Sequence, residues 1–463
     1  MNSPASAQSA TPLRETIDKQ PMTAFQWTAV AVCMALNMID GFDVLVMAFT
    51  AASVSAEWKL NGAQLGVLLS AGLFGMAGGS LFVAPWADRI GRRPLVLLCL
   101  LVAGTGMTLS AFVQTSSQLV ALRVLTGLGV GGILACSNVI ASEYASRRWR
   151  GLAVSLQSTG YALGATIGGS IAVWLLTAYG WRSVFLFGGC ATFLVMLVVL
   201  WKLPESLDYL LTRSPSKAVL SRINSLTARM DVAPLLAIPE SPKAAGAERS
   251  KVVSLLTGAS LRPTLLVWGS FFLTMFGFYF VMSWTPKLLA ASGLTAQQGV
   301  TAGVLLSLGG IFGTALLGFL GAKFRINLVL AAFMAVSAAL LCVFVGGSNS
   351  LAVYYTLAFL IGAFVNGCVA GLYAIAPMVY GADVRVTGVG WGIGIGRIGA
   401  IVSPLVAGAL IDAQWKPTQL YVGYGLAFVA AALVVLLHRL QAPSSSLNAS
   451  SKAPGSARAD AVA

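Results

Sequence analysis

Trp27-Thr-Ala-Val-Ala-Val-Cys-Met-Ala-Leu-Asn-Met-Ile-Asp40-Gly-Phe-Asp43-Val-Leu-Val-Met-Ala-Phe49 is apolar over most of its length and charged at two positions only. As a helix rising 1.5 Å per residue it is long enough to cross the ~30 Å hydrocarbon core of a bilayer. Asp40 and Asp43 stand three apart, so a helix places them on one face with side chains roughly 5–6 Å apart. A charge at the centre of such a helix costs about 2.5–3.5 kcal/mol on insertion scales. No Lys or Arg in the stretch offsets that cost. The two acids need partners from other helices, or a task that requires them there.

Similar stretches recur along the chain. Of 463 residues, 57% are hydrophobic and 10% charged, where a soluble domain carries roughly 25% charged residues. Repeated apolar runs of about 20 residues identify an all-α membrane protein, and the short alternating segments of a β-barrel are missing. Fifty glycines suit membrane helices that approach closely. The formal charge of +14 does not point to nucleic acid, because the basic residues cluster in short loops, where they set topology. Six cysteines, at positions 33, 99, 136, 190, 342 and 368, lie in apolar segments without metal-ligand spacing and read as reduced packing residues. No cofactor is expected.

Twelve spans are predicted, at 26–50, 62–86, 94–113, 118–142, 151–177, 182–202, 263–287, 297–321, 327–346, 351–376, 386–411 and 419–438. The polar stretch 203–262, with five prolines between Pro204 and Pro242, is the one linker. It separates an N-terminal six-helix bundle (26–202) from a C-terminal one (263–438). Residues 1–25 and 439–463 read as disordered tails, and the first lacks the apolar core of a signal peptide. Arg89, Arg92, Arg93, Arg147, Arg148, Arg150, Lys323 and Arg325 fall in loops on one side. That side is expected to be cytoplasmic, with both termini and the linker.

The halves read as copies. Ala84-x-x-x-Asp88-Arg89-Ile-Gly91-Arg92-Arg93 after span 2 is matched by Gly318-x-x-x-Ala322-Lys323-Phe324-Arg325 after span 8, an offset of 234. Gly164-Ala165 matches Gly399-Ala400 at 235, and Asp40-Gly-Phe-Asp43 lies over Phe276-Gly-Phe-Tyr279 at 236. Three matches at nearly one offset argue for a duplicated six-helix unit. In the second copy the two aspartates have become aromatic.

Asp88-Arg89-Ile-Gly91-Arg92-Arg93, between spans 2 and 3 of twelve, resembles the signature loop of the major facilitator superfamily, with Ala84 where the family usually has Gly. Asp40-Gly-Phe-Asp43, Arg123-x-x-x-Gly127-x-Gly129-x-Gly131-Gly132, Ser142-Glu143-Tyr144, Tyr179-Gly-Trp181-Arg182 and Gly390-Trp391-x-x-Gly394-x-Gly396-Arg397-x-Gly399 look like the aromatic acid:proton symporters within it. Leu203-Pro204-Glu205-Ser206 is shared with sugar porters and does not discriminate. The resemblance implies the two-bundle major facilitator fold and uptake of benzoate-like carboxylates with protons. It also implies a cytoplasmic gate, in which Asp88 accepts hydrogen bonds from a neighbouring helix end while Arg89, Arg92 and Arg93, beyond the turn at Gly91, meet lipid phosphates. Glu143, Arg150 and Arg385 join this gate as candidates, each with a plain surface charge as the alternative.

Depth places the buried charges. At 1.5 Å per residue, Asp40 and Asp43 lie roughly 21–26 Å from the cytoplasmic boundary, and Arg123 roughly 22 Å, in a ~30 Å core. Two carboxylates facing one guanidinium leave one acid without a full partner and free to carry a proton. The alternative is a structural pair only. Arg397, near the midplane among small residues, is the first candidate to hold a substrate carboxylate, because a guanidinium fork matches it bidentately. Arg123 is its rival. Tyr279 and Phe276 suit an aromatic ring, with packing as the plain alternative. Asn138 and Asn366 suit a ring hydroxyl, or simply join helices. The sole histidine, His438, ends span 12, too far out for a proton relay.

The expected function is proton-coupled import of a monocyclic aromatic carboxylate by a monomer in a bacterial inner membrane. The rivals are a drug:proton antiporter, which usually has Pro where Ala165 stands, and a transporter-derived sensor. An intramembrane enzyme is disfavoured, since no nucleophile–base pair is evident.

Overall fold

A computed structural model describes residues 13–212, 216–235, 255–257, 260–344, 350–380 and 384–437. Twelve helices in it are long and apolar enough to cross a membrane. They are α1 (Ala24–Trp58), α2 (Gly62–Gly78, running on to Ile90), α3 (Arg92–Ser110), α4 (Ser116–Tyr144), α5 (Arg150–Tyr179), α6 (Trp181–Lys202), α7 (Leu261–Ala291), α8 (Ala296–Lys323), α9 (Ile326–Phe344), α10 (Leu351–Val379), α11 (Arg385–Asp412) and α12 (Pro417–Leu436). Every predicted span has its helix. Several ends are fixed by side chains: Thr23, Asn61 and Thr295 each accept the amide three residues on and receive a Gln in return, a capping box.

The packing repeats between halves. α1 packs on α5 and α6, α2 on α4, and α3 on α4 and α6, while α7 packs on α11 and α12, α8 on α10, and α9 on α10 and α12. The likeness extends to single residues. A Cβ on Gly164 would strike the Met38 carbonyl of α1, and one on Gly399 would meet the Phe272 carbonyl of α7 at 2.5 Å. Gly41 and Gly160 extend the α1–α5 contact, against the backbones of Tyr161 and Met34. Glycine is needed there because the helices touch main chain to main chain.

Between the halves α2 packs on α11, α5 on α8, and α1 on α7. The α2–α11 contacts lie at the end away from the arginine loops. Gly62 abuts the Gly408 carbonyl, Gly66 that of Pro404, and Ser70 Oγ donates to Ile401 at 2.8 Å. Asp412, the last residue of α11, accepts the amides of Gly62 at 2.6 Å and Ala63 at 2.7 Å. Toward the arginine-loop end, a Cβ on Gly390 or Gly394 of α11 would meet nothing within 4 Å. The halves are therefore joined main chain to main chain at the end away from the arginine loops. Beyond Gly78, α2 passes through a π turn (Gly79–Val83) and a 3₁₀ turn (Ala84–Trp86).

Part of what reads in sequence as tail and linker is folded. Leu13–Lys19 is a helix whose Leu13 and Ile17, four apart and buried, join the cluster at the arginine-loop end of the first bundle. Leu207–Thr212 and Lys217–Ala228 are helices in the linker, and Leu207, Leu210 and Ile223 enter the same cluster. Residues 1–12 and 438–463, and with them His438, lie outside the described residues.

Candidate functional site

α1 and α4 bring the first buried charges together. Arg123 Nη1 donates to Asp43 Oδ1 at 2.9 Å, and both side chains are sealed, at 1% and 4% exposure. Arg123 Nη2 donates to Thr126 Oγ1 at 3.0 Å, one turn on, and the guanidinium lies over the Phe185 ring of α6 at 5.2 Å. Methionine, leucine and glycine from α1 and α2 wall the small cavity beside the pair. A second contact from Arg123 Nη2 reaches Met107 Sδ at 3.2 Å. A buried ion pair with these two further hydrogen bonds and a ring face is a held structure, with only Nε left unmatched among its guanidinium nitrogens.

Asp40 is treated differently. It is 4% exposed, and its Oδ1 has no hydrogen-bond partner. It shares an electrostatic neighbourhood with Arg397 of α11, Tyr161 of α5 and Tyr279 of α7. Tyr373 of α10 also lies within range of Arg397. Among the described residues Arg397 makes no ion pair. Five helices thus send an acid, a guanidinium and three phenols to one region between the halves. Tyr279, like Val44 and Ile401, packs against a small apolar cluster of Leu73, Met76, Ala103, Val130 and Ala400. Tyr373 is 44% exposed despite lying deep in α10, with its ring edge-on to Phe271 at 5.7 Å. Asp40 and Arg397 thus lie within electrostatic range of each other with no ion pair between them.

The other candidates scatter. Phe276 stacks on Tyr424 of α12 with centroids 4.7 Å apart, inside the second bundle. Asn366 Nδ2 donates to Gly362 of its own helix at 2.8 Å and packs beneath Gly310 at the α8–α10 contact. Asn138 is exposed on α4.

At the arginine-loop end, Asp88 and Arg89 are exposed, and among the described residues Asp88 accepts no hydrogen bond. Glu205 instead accepts the amides of Arg92 at 2.9 Å and Arg93 at 3.1 Å, at the first turn of α3. A carboxylate there meets unsatisfied amides and the positive end of the helix dipole. Gly91, at φ 106°, makes the turn before it. Arg92 pairs with Glu143 and also donates to Ser206, whose hydroxyl donates to Glu143 at 2.7 Å. Arg14 donates to the carbonyls of Ser142 at 3.0 Å and Glu143 at 2.6 Å, and Arg150 pairs with Asp18. The gate candidates Arg92, Glu143 and Arg150 thus tie the first bundle to its own N-terminal helix and linker. Among the described residues Arg385 reaches the Tyr380 carbonyl, at 3.4 Å.

Sequence reasoning missed Tyr161, Tyr373, Glu205, Arg14 and Asp412. The signal for Asp412 was an acid at a helix C-terminus, where the dipole disfavours it. A tyrosine within an apolar span gives no signal of its own.

The Major Facilitator Superfamily profile matches residues 30–391. The chain is 32% identical to the 4-hydroxybenzoate transporter PcaK of Acinetobacter baylyi, over 95% of this chain and 96% of that one. It is also 32% identical to the gallate transporter of Pseudomonas putida, over 92% and 94%. Among solved structures, the inward open xylose transporter XylE of E. coli superposes with a TM-score of 0.70 at 16% identity, covering 91% of this chain and 98% of that one. With twelve membrane helices packed in matching sixes and a profile spanning most of its length, this chain belongs to the major facilitator superfamily, alongside the 4-hydroxybenzoate and gallate transporters it resembles.

Proposed function

We propose that this multi-pass membrane protein imports a monocyclic aromatic carboxylate, such as a hydroxybenzoate, together with protons. The observation that carries the reading is the pairing pattern of the buried charges. Arg123 is held by Asp43, which leaves Arg397 as the guanidinium available to a substrate carboxylate. Asp40, unpartnered at Oδ1 and within electrostatic range of Arg397, carries the proton.

The cycle follows from charge balance. Ionised Asp40 and a substrate carboxylate compete for one guanidinium, so protonating Asp40 frees Arg397 for the substrate. Both ligands then neutralise the site together, and the two bundles rock about it. The arginine-loop end is the cytoplasmic one by the distribution of basic residues. The state described here is then open inward and shut outward. In the opposite state Asp88, exposed here, caps the N-terminus of α11 beside Arg385 and closes the cytoplasmic end. The working unit is a monomer in a bacterial inner membrane, with both termini inside.

The test is uptake of labelled 4-hydroxybenzoate by proteoliposomes carrying an acid-outside gradient. Accumulation that a protonophore collapses is the expected result. Depletion of preloaded substrate under the same gradient would make the protein an exporter. Saturable binding without flux would make it a sensor.

A further inference from the structure

The site holds more hydrogen-bonding capacity than a carboxylate and a proton use. Four phenols elsewhere are matched: Tyr144 donates to the Glu205 carbonyl at 2.6 Å, Tyr209 to that of Arg89 at 3.3 Å, Tyr421 to Thr285 Oγ1 at 2.9 Å and Tyr424 to the Ser403 carbonyl at 2.7 Å, while the Tyr380 hydroxyl is buried without a partner among the described residues. Among the described residues Tyr161, Tyr279 and Tyr373 have no such acceptor, and all three stand around Arg397. Phenols left without partners beside a binding guanidinium are groups kept for a ligand.

Position separates their tasks. Tyr373 and Arg397 both belong to the second bundle. Tyr279 packs against a small apolar cluster that includes Leu73, Met76 and Ala400, so its ring belongs to an apolar wall. Tyr161 belongs to the first bundle. Its main chain touches Gly41, which sets it one residue from Asp40 across the α1–α5 contact. A ligand whose carboxylate lies on Arg397 meets the first bundle with its opposite end. A phenolic group at that end needs one acceptor and one donor, and a tyrosine hydroxyl supplies both.

We propose that Tyr161 is the specificity residue that reads a hydroxyl on the substrate ring, so that the site takes hydroxylated benzoates over benzoate itself. This rests on the reading of the chain as an aromatic-acid transporter. A ring bearing hydrogen at that position leaves Tyr161 desolvated and unmatched, the arrangement by which a polar site rejects the analogue lacking its hydroxyl. The hydroxylated acid also bridges the two bundles, from Arg397 on one to Tyr161 on the other.

The experiment is competition against labelled 4-hydroxybenzoate uptake by unlabelled 4-hydroxybenzoate, benzoate and 4-fluorobenzoate, the last carrying no donor. In the wild type, benzoate and 4-fluorobenzoate should both compete at least about tenfold more weakly than 4-hydroxybenzoate. Tyr161→Phe keeps the ring and loses the oxygen. It should bring the three acids within about threefold of one another by weakening 4-hydroxybenzoate while leaving benzoate unchanged. Tyr373→Phe should leave the ratio intact. An intact ratio in Tyr161→Phe, a collapsed ratio only in Tyr373→Phe, or a wild type that takes 4-fluorobenzoate as well as the hydroxy acid would each overturn the assignment. The wild-type comparison holds even if a variant fails to reach the membrane. A wild type that binds none of the three acids removes the transporter reading and this assignment together. One that takes them all but keeps its ratio in Tyr161→Phe removes this assignment alone.

Discussion

Asp412 ends α11, yet its carboxylate serves α2, accepting the amides of Gly62 at 2.6 Å and Ala63 at 2.7 Å. An acid at a helix C-terminus is disfavoured by its own helix and favoured by a facing N-terminus. The contact joins the two bundles at the end away from the arginine loops. Asp88, at the far end of α2, is its mirror image and is exposed in this state.

Asp412→Ala should therefore loosen the shut end. Hydrogen bonds to a charged group are worth about 1.5–3 kcal/mol each, so opening should become at least about tenfold more frequent. With a cysteine in place of Ser70, which is buried at the α2–α11 contact, labelling by an impermeant maleimide from outside should accelerate to match. An unchanged rate would show that the latch contributes nothing.

Removing one partner of the Asp43–Arg123 pair leaves a sealed charge alone, at a cost of about 3–5 kcal/mol. Arg123→Gln or Asp43→Asn should each lower thermal stability in detergent markedly. The double variant, neutral on both sides, should be less destabilised than either single one. Simple additivity in that cycle would remove the pair as a structural element.

Asp40→Asn should reach the membrane normally, because no protein hydrogen bond to Oδ1 is lost. Accumulation driven by an acid gradient should vanish, while exchange of internal for external substrate persists. Full accumulation would take the proton role away from Asp40.

Arg397→Lys keeps the charge and loses the fork. The apparent affinity for 4-hydroxybenzoate should fall by an order of magnitude or more, about 1.4 kcal/mol, with little change in stability, since Arg397 makes no ion pair among the described residues. A normal affinity would exclude bidentate capture at this position.

Arg14→Ala leaves the last carbonyls of α4 without their guanidinium and should weaken docking of the N-terminal helix by about 1 kcal/mol. Trypsin cleavage after Lys19 in the folded protein should speed up several-fold. Equal rates would mean that Leu13 and Ile17 hold the helix unaided.

Apolar run length made all twelve spans legible, and repeat offsets made the matching sixes legible, because both depend on local sequence alone. The depth of Arg123 on a descending helix anticipated its bond to Asp43, since rise per residue converts position to height. Height says nothing of rotation, so which acid would be paired was open, and so was which arginine would be free. The Leu203-Pro204-Glu205-Ser206 motif discriminates between no families, so the cap that Glu205 makes on α3 was legible only in the fold. Arg14 and Ile17 were hidden in a polar segment too short to show a period. Tyr161 and Tyr373 look like any aromatic residue in a span until the helices around them are in place.

The glycine contact between α1 and α5 leaves one wall of the binding region without adjustable width. Gly41 and Gly164 bring main chains together, so no repacking of side chains can move the Tyr161 backbone away from α1. In the proposed site, room for a different ring has to come from the second bundle, where Gly390 and Gly394 of α11, on the turns before Arg397, have free volume beside them. Filling or enlarging that wall is where an engineered change of cargo should begin.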